Sequence, residues 1–117
     1  KNVAFIVVRP QRYTKEFIDA STSFSLSFFG KEHVKELAYC GKVSGRDGNK
    51  IEKCNFSVAE ENNTPYIEQA NLVMICKKIF MQPYSAESFL DFHIMDFYEK
   101  KDFHTLYIAE IESILTK

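Results

Sequence analysis

The sequence predicts a mainly-β fold: a small antiparallel barrel with short helices at its edges. Three observations carry this expectation. About six stretches read as strands, two of them long. Hairpin signals join them, and helices are inserted at the ends. No strand–helix–strand repetition of the kind that builds a doubly wound sheet is visible. Barrel closure is how an antiparallel chain disposes of its edges.

The first stretch, Val3-Ala4-Phe5-Ile6-Val7-Val8, is an unbroken apolar run rich in β-branched and aromatic residues, so it reads as a strand buried on both faces. Pro10 cannot continue a ladder and ends it. Thr14 is placed to cap a short helix over Lys15–Ala20 with Phe17 and Ile18 inward. Phe24–Phe28 alternates apolar and hydroxyl residues with the period of a strand. Gly30 opens a helix over Lys31–Cys40, in which Val34, Leu37 and Ala38 recur at helical spacing and Gly41 closes the end. A helical turn around Ile51–Cys54 leads to a strand at Phe56–Ala59. Glu60–Thr64 reads as a hairpin loop, because asparagine tolerates positive φ, and Tyr66–Glu68 returns. Leu72–Met81 is a long strand whose Lys77 and Lys78 reach solvent or a neighbouring site. Ser85 starts a short helix to about Leu90. The aromatic and charged stretch Asp91–Asp102 covers core or a partner. His104–Leu115 is the last long strand, with Tyr107, Ile108 and Ile111 inward.

The 117 residues suffice for one domain, taken as 1–117, and 45% apolar with 15% aromatic content marks a folded chain. Fifteen basic against sixteen acidic residues leave a net charge of -1, which gives no sign of a nucleic-acid or anionic-membrane partner. No apolar run approaches the roughly 18 residues of a membrane helix, and no signal peptide is evident. Cys40, Cys54 and Cys76 are odd in number and lack a Cys-x-x-Cys spacing, which suits free thiols in a reducing, cytoplasmic setting. His33 and Cys40 lack a usual metal-ligand spacing and read as core or surface residues. The chain opens on Lys1 directly before a strand, so an N-terminal segment is expected upstream.

Two loops suit an anion. In Arg9-Pro10-Gln11-Arg12-Tyr13-Thr14, two guanidinium groups lie beside the free N–H groups of a helix start, which is the chemistry a phosphate needs. The same residues also suit a solvated surface loop. In Ser44-Gly45-Arg46-Asp47-Gly48-Asn49-Lys50, two glycines permit close backbone approach and Arg46 and Lys50 add charge. The segment lacks a Gly-Lys-Ser/Thr ending and serves equally as a polar connection.

In order, Val-Arg-Pro-Gln-Arg-Tyr-Thr, Phe-Ser-Leu-Ser-Phe-Phe, Cys-Gly-Lys-Val-Ser-Gly-Arg-Asp-Gly-Asn-Lys and His-Thr-Leu-Tyr-Ile-Ala-Glu-Ile resemble the flavin reductase-like, FMN-binding split-barrel family, nearest its flavoredoxin-like branch. The resemblance covers nearly the whole chain. It implies a split barrel that works as a homodimer, with FMN near the subunit interface. It places Arg9, Arg12, Tyr13 and Thr14 against the flavin ribityl and phosphate groups, and Ser25 and Ser27 on the flanking strand. Ser44, Gly45, Arg46 and Lys50 match the family's Ser-Gly-Arg-Asp-x-x-Lys segment, and His104 matches a histidine near the nicotinamide or ring face. Ala109 stands where the family more often has glycine. The family's upstream Thr/Ser-rich segment is not part of this sequence.

The implied function is an oxidoreductase passing electrons from NAD(P)H to flavin or onward to an acceptor. In such chemistry the cofactor carries the redox step, so the lack of an acid–base dyad is no objection. One alternative is a flavin-bound electron carrier fed by a protein donor, without a nicotinamide site. Another is a flavin-free structural relative. The apolar surface of Phe89–Tyr98 independently favours a homodimer.

Overall fold

The computed structural model describes residues 1–43, 49–98 and 100–117. The segment holding Ser44, Gly45, Arg46, Asp47 and Gly48, and also Glu99, lies outside the described residues. Among the described residues, six strands form two sheets. These are β1 (Val3–Val8), β2 (Ser23–Phe28), β3 (Val58–Glu61), β4 (Thr64–Ile67), β5 (Leu72–Pro83) and β6 (Thr105–Thr116). The larger sheet is antiparallel in the order β1-β6-β5-β2, and β3 and β4 form a separate hairpin. Helices α1 (Thr14–Ala20), α2 (Val34–Lys42) and α3 (Lys50–Lys53) sit in the connections. Ala86–Ser88 and Phe92–Tyr98 are 3-10 turns between β5 and β6.

The long pair β5 and β6 forms the spine, and two irregularities bend it. Glu112 is the extra residue between the pairs Ile75↔Ser113 and Cys76↔Ile111, and Ile79 is extra between Lys78↔Ala109 and Phe80↔Ile108. Such bulges sharpen strand twist, which curls the sheet into half a barrel. The first half of β5 is buried on both faces as a result. Cys76 packs with Phe24 and Ala109, flanked by Ala4, Ile6, Leu26, Met74 and Ile111. On the opposite face, Val73 and Ile75 pack with Ala70, flanked by Phe29, Tyr66 and Leu115.

The hydroxyl face of β2 faces the β3–β4 hairpin and fastens it. Ser23 Oγ lies 2.7 Å from Thr64 Oγ1, and Ser25 Oγ donates to the Pro65 carbonyl at 2.7 Å. Thr64 is fully buried, so this pairing satisfies a hydroxyl that would otherwise be costly. Asn62 and Asn63 turn the hairpin with φ of 52° and 61°, as the loop composition led one to expect.

Several expectations require correction. β1 is an edge strand rather than a doubly buried one: Ala4 and Ile6 face the core, while Val3, Phe5 and Val7 are exposed. Thr14 is the first helical residue of α1, and the capping position is Tyr13, which makes no side-chain cap. In α1 only Ile18 is buried; Phe17 turns outward and meets Tyr13 edge-on at 4.8 Å. Gly41 lies within α2, which ends at Val43 in extended conformation. β3 begins two residues later than expected, because α3 ends in a left-handed turn. Asn55 has φ of 59°, its N–H reaches the Glu52 carbonyl, and Phe56 N–H reaches the Ile51 carbonyl. That pattern closes a helix and consumes Phe56 before a strand can start. Ile108 lies opposite the buried Tyr107, in a row with Phe5 and Phe80 across the outer face of the sheet.

Candidate functional site

A cleft of about 1300 Å3 opens where the β1–α1 loop meets the end of α2 and the start of α3. It exceeds the ~300–1,000 Å3 usual for a small-molecule site. Arg9, Arg12, Tyr13, Thr14, Lys50 and His104 all line it, so the fold unites six residues singled out from three separate parts of the sequence. Among the described residues no aspartate or glutamate lines it, which leaves three cations to set its potential. Val7, Phe17 and Ile51 supply apolar wall.

Arg9 does two jobs. Its Nη2 donates to the Phe97 carbonyl at 3.0 Å and its guanidinium lies 5.2 Å from the Tyr98 ring centroid, which pins the loop to the Phe92–Tyr98 turn. Its Nε is buried and has no hydrogen-bond partner among the described residues. A buried donor left without an acceptor is costly, and an anionic ligand in the cleft is the kind of group that relieves it. Arg12 stands exposed at the rim. Lys50 donates from Nζ to the Cys40 carbonyl at 2.6 Å, capping the last turn of α2 with positive charge. An ammonium has three donors, so among the described residues two remain for other acceptors.

The helix start itself contributes less than its sequence suggested. The Arg12, Lys15 and Glu16 N–H groups are taken up by the Arg9, Arg12 and Tyr13 carbonyls. Three backbone donors at this end of the cleft are therefore already spent within the loop.

His104 sits just before β6 and lies 2.5 Å, through Nδ1, from the Tyr98 hydroxyl. Burial lowers its pKa from the usual histidine value, and the nearby Arg9 charge pushes in the same direction. With the ring neutral, one proton lies between Nδ1 and the Tyr98 hydroxyl, and Nε2 carries the ring proton in the tautomer for which Tyr98 is the donor. Tyr98 is itself packed among Phe89, Phe103 and His104.

Ser25 and Ser27 lie elsewhere. They line a second, smaller cleft of about 440 Å3 between β2, the β3–β4 hairpin and the helices, with Phe29, Phe56 and Tyr66 among its walls. Cys40 and Ile51 border both clefts. Ser25 already spends its proton on Pro65. Ser44, Gly45 and Arg46 fall outside the described residues.

Sequence reading missed several lining groups: Val7, Phe17, Cys40, Gly41, Asn49 and Ile51. Asn49 had a legible signal. Its side chain accepts from Glu52 N–H at 3.2 Å, the first half of a capping box written as Asn-x-x-Glu. Tyr98 had none, because its role arises only when the chain returns at His104.

Comparison with known proteins follows from this geometry. The chain resembles a flavoredoxin from Methanosarcina acetivorans at 22% identity and TM-score 0.78, over 98% of this chain and 53% of that one. It resembles an FMN-binding protein from Thermus thermophilus, crystallised with p-hydroxybenzaldehyde, at 16% identity and TM-score 0.75, over 98% and 55%. A split barrel domain structure from Shewanella frigidimarina superposes with TM-score 0.74 at 13% identity, over 98% and 52%. The chain thus spans about half the length of these structures, and the shared fold is a split barrel. Comparison with curated protein sequences gives no match. The sequence model of the flavin reductase like domain matches residues 2–117, which is essentially the whole chain: it belongs to the flavin reductase like domain family.

Proposed function

We propose that this chain binds FMN and acts as a flavin reductase-like oxidoreductase, taking electrons from NAD(P)H to flavin or onward to an acceptor. The observation that carries the reading is the cleft in which Arg9, Arg12 and Lys50 converge beside an apolar wall, where among the described residues no carboxylate lines it and the buried Arg9 Nε has no hydrogen-bond partner. When bound, FMN supplies the redox centre. Arg12, Lys50 and Arg9 hold its phosphate end, with Arg46 added by the family resemblance. Tyr13 and Thr14 contact the ribityl chain. By the family resemblance, Ser25 and Ser27 on β2 flank the flavin, and Ser44 and Gly45 belong to the matching Ser-Gly-Arg-Asp-x-x-Lys segment. Neutral His104 presents Nε2 to the nicotinamide carboxamide or the flavin edge, with its ring oriented by the Tyr98 contact at Nδ1. The working form is a homodimer, in a cytoplasmic setting that suits three free thiols.

A second reading has a specific support. Flavoredoxins from Methanosarcina acetivorans and Desulfovibrio vulgaris are among the structures this chain resembles. On that reading the chain is a flavin-bound electron carrier with a protein donor and no nicotinamide site.

Titration with FMN, followed by flavin absorbance and fluorescence, tests both. A bound-flavin spectrum together with NAD(P)H oxidation is expected of the reductase. Bound flavin that dithionite reduces and NAD(P)H does not would favour the carrier. No bound flavin at all would overturn both.

A further inference from the structure

Cys40, in the last turn of α2, and Cys54, at the end of α3, lie 14 positions apart in sequence, and the fold brings their Sγ atoms to 3.8 Å. Both are free and half-buried. A disulfide needs about 2.05 Å between sulfurs. The two sulfurs are therefore already in contact and lack only the bond.

The two thiols are not equivalent. The Cys54 S–H donates to the Glu36 carbonyl at 3.7 Å. Burial pushes its pKa up, and the neighbouring Cys40 adds to the effect. Cys54 therefore holds its proton. Cys40 borders both clefts, whereas Cys54 lines neither, which makes Cys40 the first sulfur in the sequence of attack. The Lys50 ammonium, bonded to the Cys40 carbonyl at 2.6 Å, stands beside the pair.

We propose that Cys40 and Cys54 are a reversible thiol–disulfide modification site, oxidised by exchange with a low-molecular-weight disulfide. Cys40 gives up its proton to solvent, and its thiolate attacks one sulfur of the small disulfide. The S–S bond of that molecule breaks, and the departing thiolate takes a proton. Cys54 then loses its proton and attacks Cys40 Sγ, displacing the second small thiolate, which is protonated in turn. The two protein thiols are oxidised by two electrons in total, and one small disulfide is reduced to two thiols. The new bond ties α2 to α3, the helices that supply Gly41, Lys50 and Ile51 to the larger cleft. The proposal does not rest on flavin binding.

The test exposes the fully reduced chain to oxidised glutathione, in native buffer and in concentrated urea, with intact mass and peptide mapping as readouts. The native chain should lose the mass of two hydrogen atoms, with a cross-link between Cys40 and Cys54 and with buried Cys76 still free. Folded proximity should make closure faster than in urea by a factor on the order of ten or more. Cys54→Ser should stop at a glutathione adduct on Cys40. A native chain that stays reduced, stops at a glutathione adduct or links through Cys76 would overturn the proposal. Equal rates in native buffer and urea would do the same. If Cys54→Ser fails to fold, the rate comparison on the unaltered chain decides the matter alone.

Discussion

Arg9 and Arg12 stand three residues apart and do different work. Arg9 is spent on holding the loop, through the Phe97 carbonyl and the Tyr98 ring, while Arg12 is exposed at the rim of the cleft. Removing Arg12 should therefore report on the ligand rather than on the fold. A charge-assisted hydrogen bond contributes about 1.5–3 kcal/mol, so Arg12→Ala should weaken FMN by roughly ten- to a hundredfold. Riboflavin lacks the phosphate and should lose little. Equal losses for both flavins in a fluorescence titration would show that Arg12 is not the phosphate anchor.

His104 gives a second residue-level expectation. Its folded pKa lies below the usual value of about 6.5, so folding favours the neutral ring. The stability from neutral His104 is fully present above that value and is lost as pH falls through the lowered folded pKa. Thermal melts of the unaltered chain and of His104→Gln should therefore converge on acidification through that window. A constant gap would mean that the ring is not selected as neutral. On the reductase reading, His104→Ala should lower kcat/KM for NAD(P)H and leave FMN affinity nearly unchanged. Collapse of flavin binding would make the residue structural, and no change in either would favour the electron carrier.

At the scale of elements, α1 is held to the sheet by polar groups rather than by an apolar face. Buried Tyr107 on β6 donates to Asp19 Oδ1 at 2.5 Å, Lys15 Nζ meets Asp19 Oδ2 at 2.6 Å, and Lys78 on β5 donates to the Ile18 carbonyl at 2.6 Å. The Lys15 bond, then the Tyr107 bond, holds the Asp19 carboxyl below its usual pKa, and burial keeps the Tyr107 phenol protonated. Tyr107→Phe should cost about 1 kcal/mol, less than a full charge-assisted bond, because Asp19 keeps Lys15 and water. That is a fall of roughly 3–6 °C in Tm for a chain of this size. The Asp19 contribution is present above its ordinary pKa and lost as pH falls through the lowered one, so the two melts should merge only in strong acid. An unchanged Tm at neutral pH would show that α1 docks without this bond.

This network explains what the sequence made legible and what it did not. Strands are written in short-range alternation, so β1, β2, β5 and β6 could be placed from Val3–Val8, Phe24–Phe28, Leu72–Met81 and His104–Leu115 nearly to the residue. Their faces were harder. Phe5 and Ile108 are apolar and look like core, yet the bulges at Ile79 and Glu112 decide which side of β5 and β6 turns in. The helices were misjudged for a related reason. In α2, Val34, Leu37 and Ala38 keep helical spacing but are exposed, and in α1 Phe17 is exposed while Asp19 and the Ile18 carbonyl make the tertiary bonds. Local pattern reveals that a face is apolar, not what covers it. Arg9 and Arg12 were legible because two guanidinium groups beside a helix start suit an anion, and His104 was legible only through the family resemblance. Tyr98 and the Cys40–Cys54 approach depend on long-range closure and leave no mark in spacing.

At the scale of the whole molecule, the outer face of the sheet poses the last question. Phe5, Ile108 and Phe80 form one row across β1, β6 and β5, with Val3 and Val7 flanking Phe5 on the edge strand. Phe5 is 65% exposed and Phe80 45%, which makes a contiguous apolar patch rather than scattered residues. Patches of that kind mark contact surfaces. The Phe89–Tyr98 segment divides its own aromatic groups: Phe89 and Tyr98 pack with Phe103 and His104, while Leu90, Phe92 and Phe97 stay exposed. Two apolar surfaces could therefore serve a homodimer, and charge substitutions separate them. Phe5→Glu should turn a dimer into a monomer in light scattering if the sheet face is the interface. Phe92→Glu should do so if the segment between β5 and β6 is. Each side chain is largely exposed in the single chain, so neither change removes core packing, and circular dichroism should remain that of a β-rich fold. A chain that is monomeric at micromolar concentration before any substitution would count decisively against the homodimer.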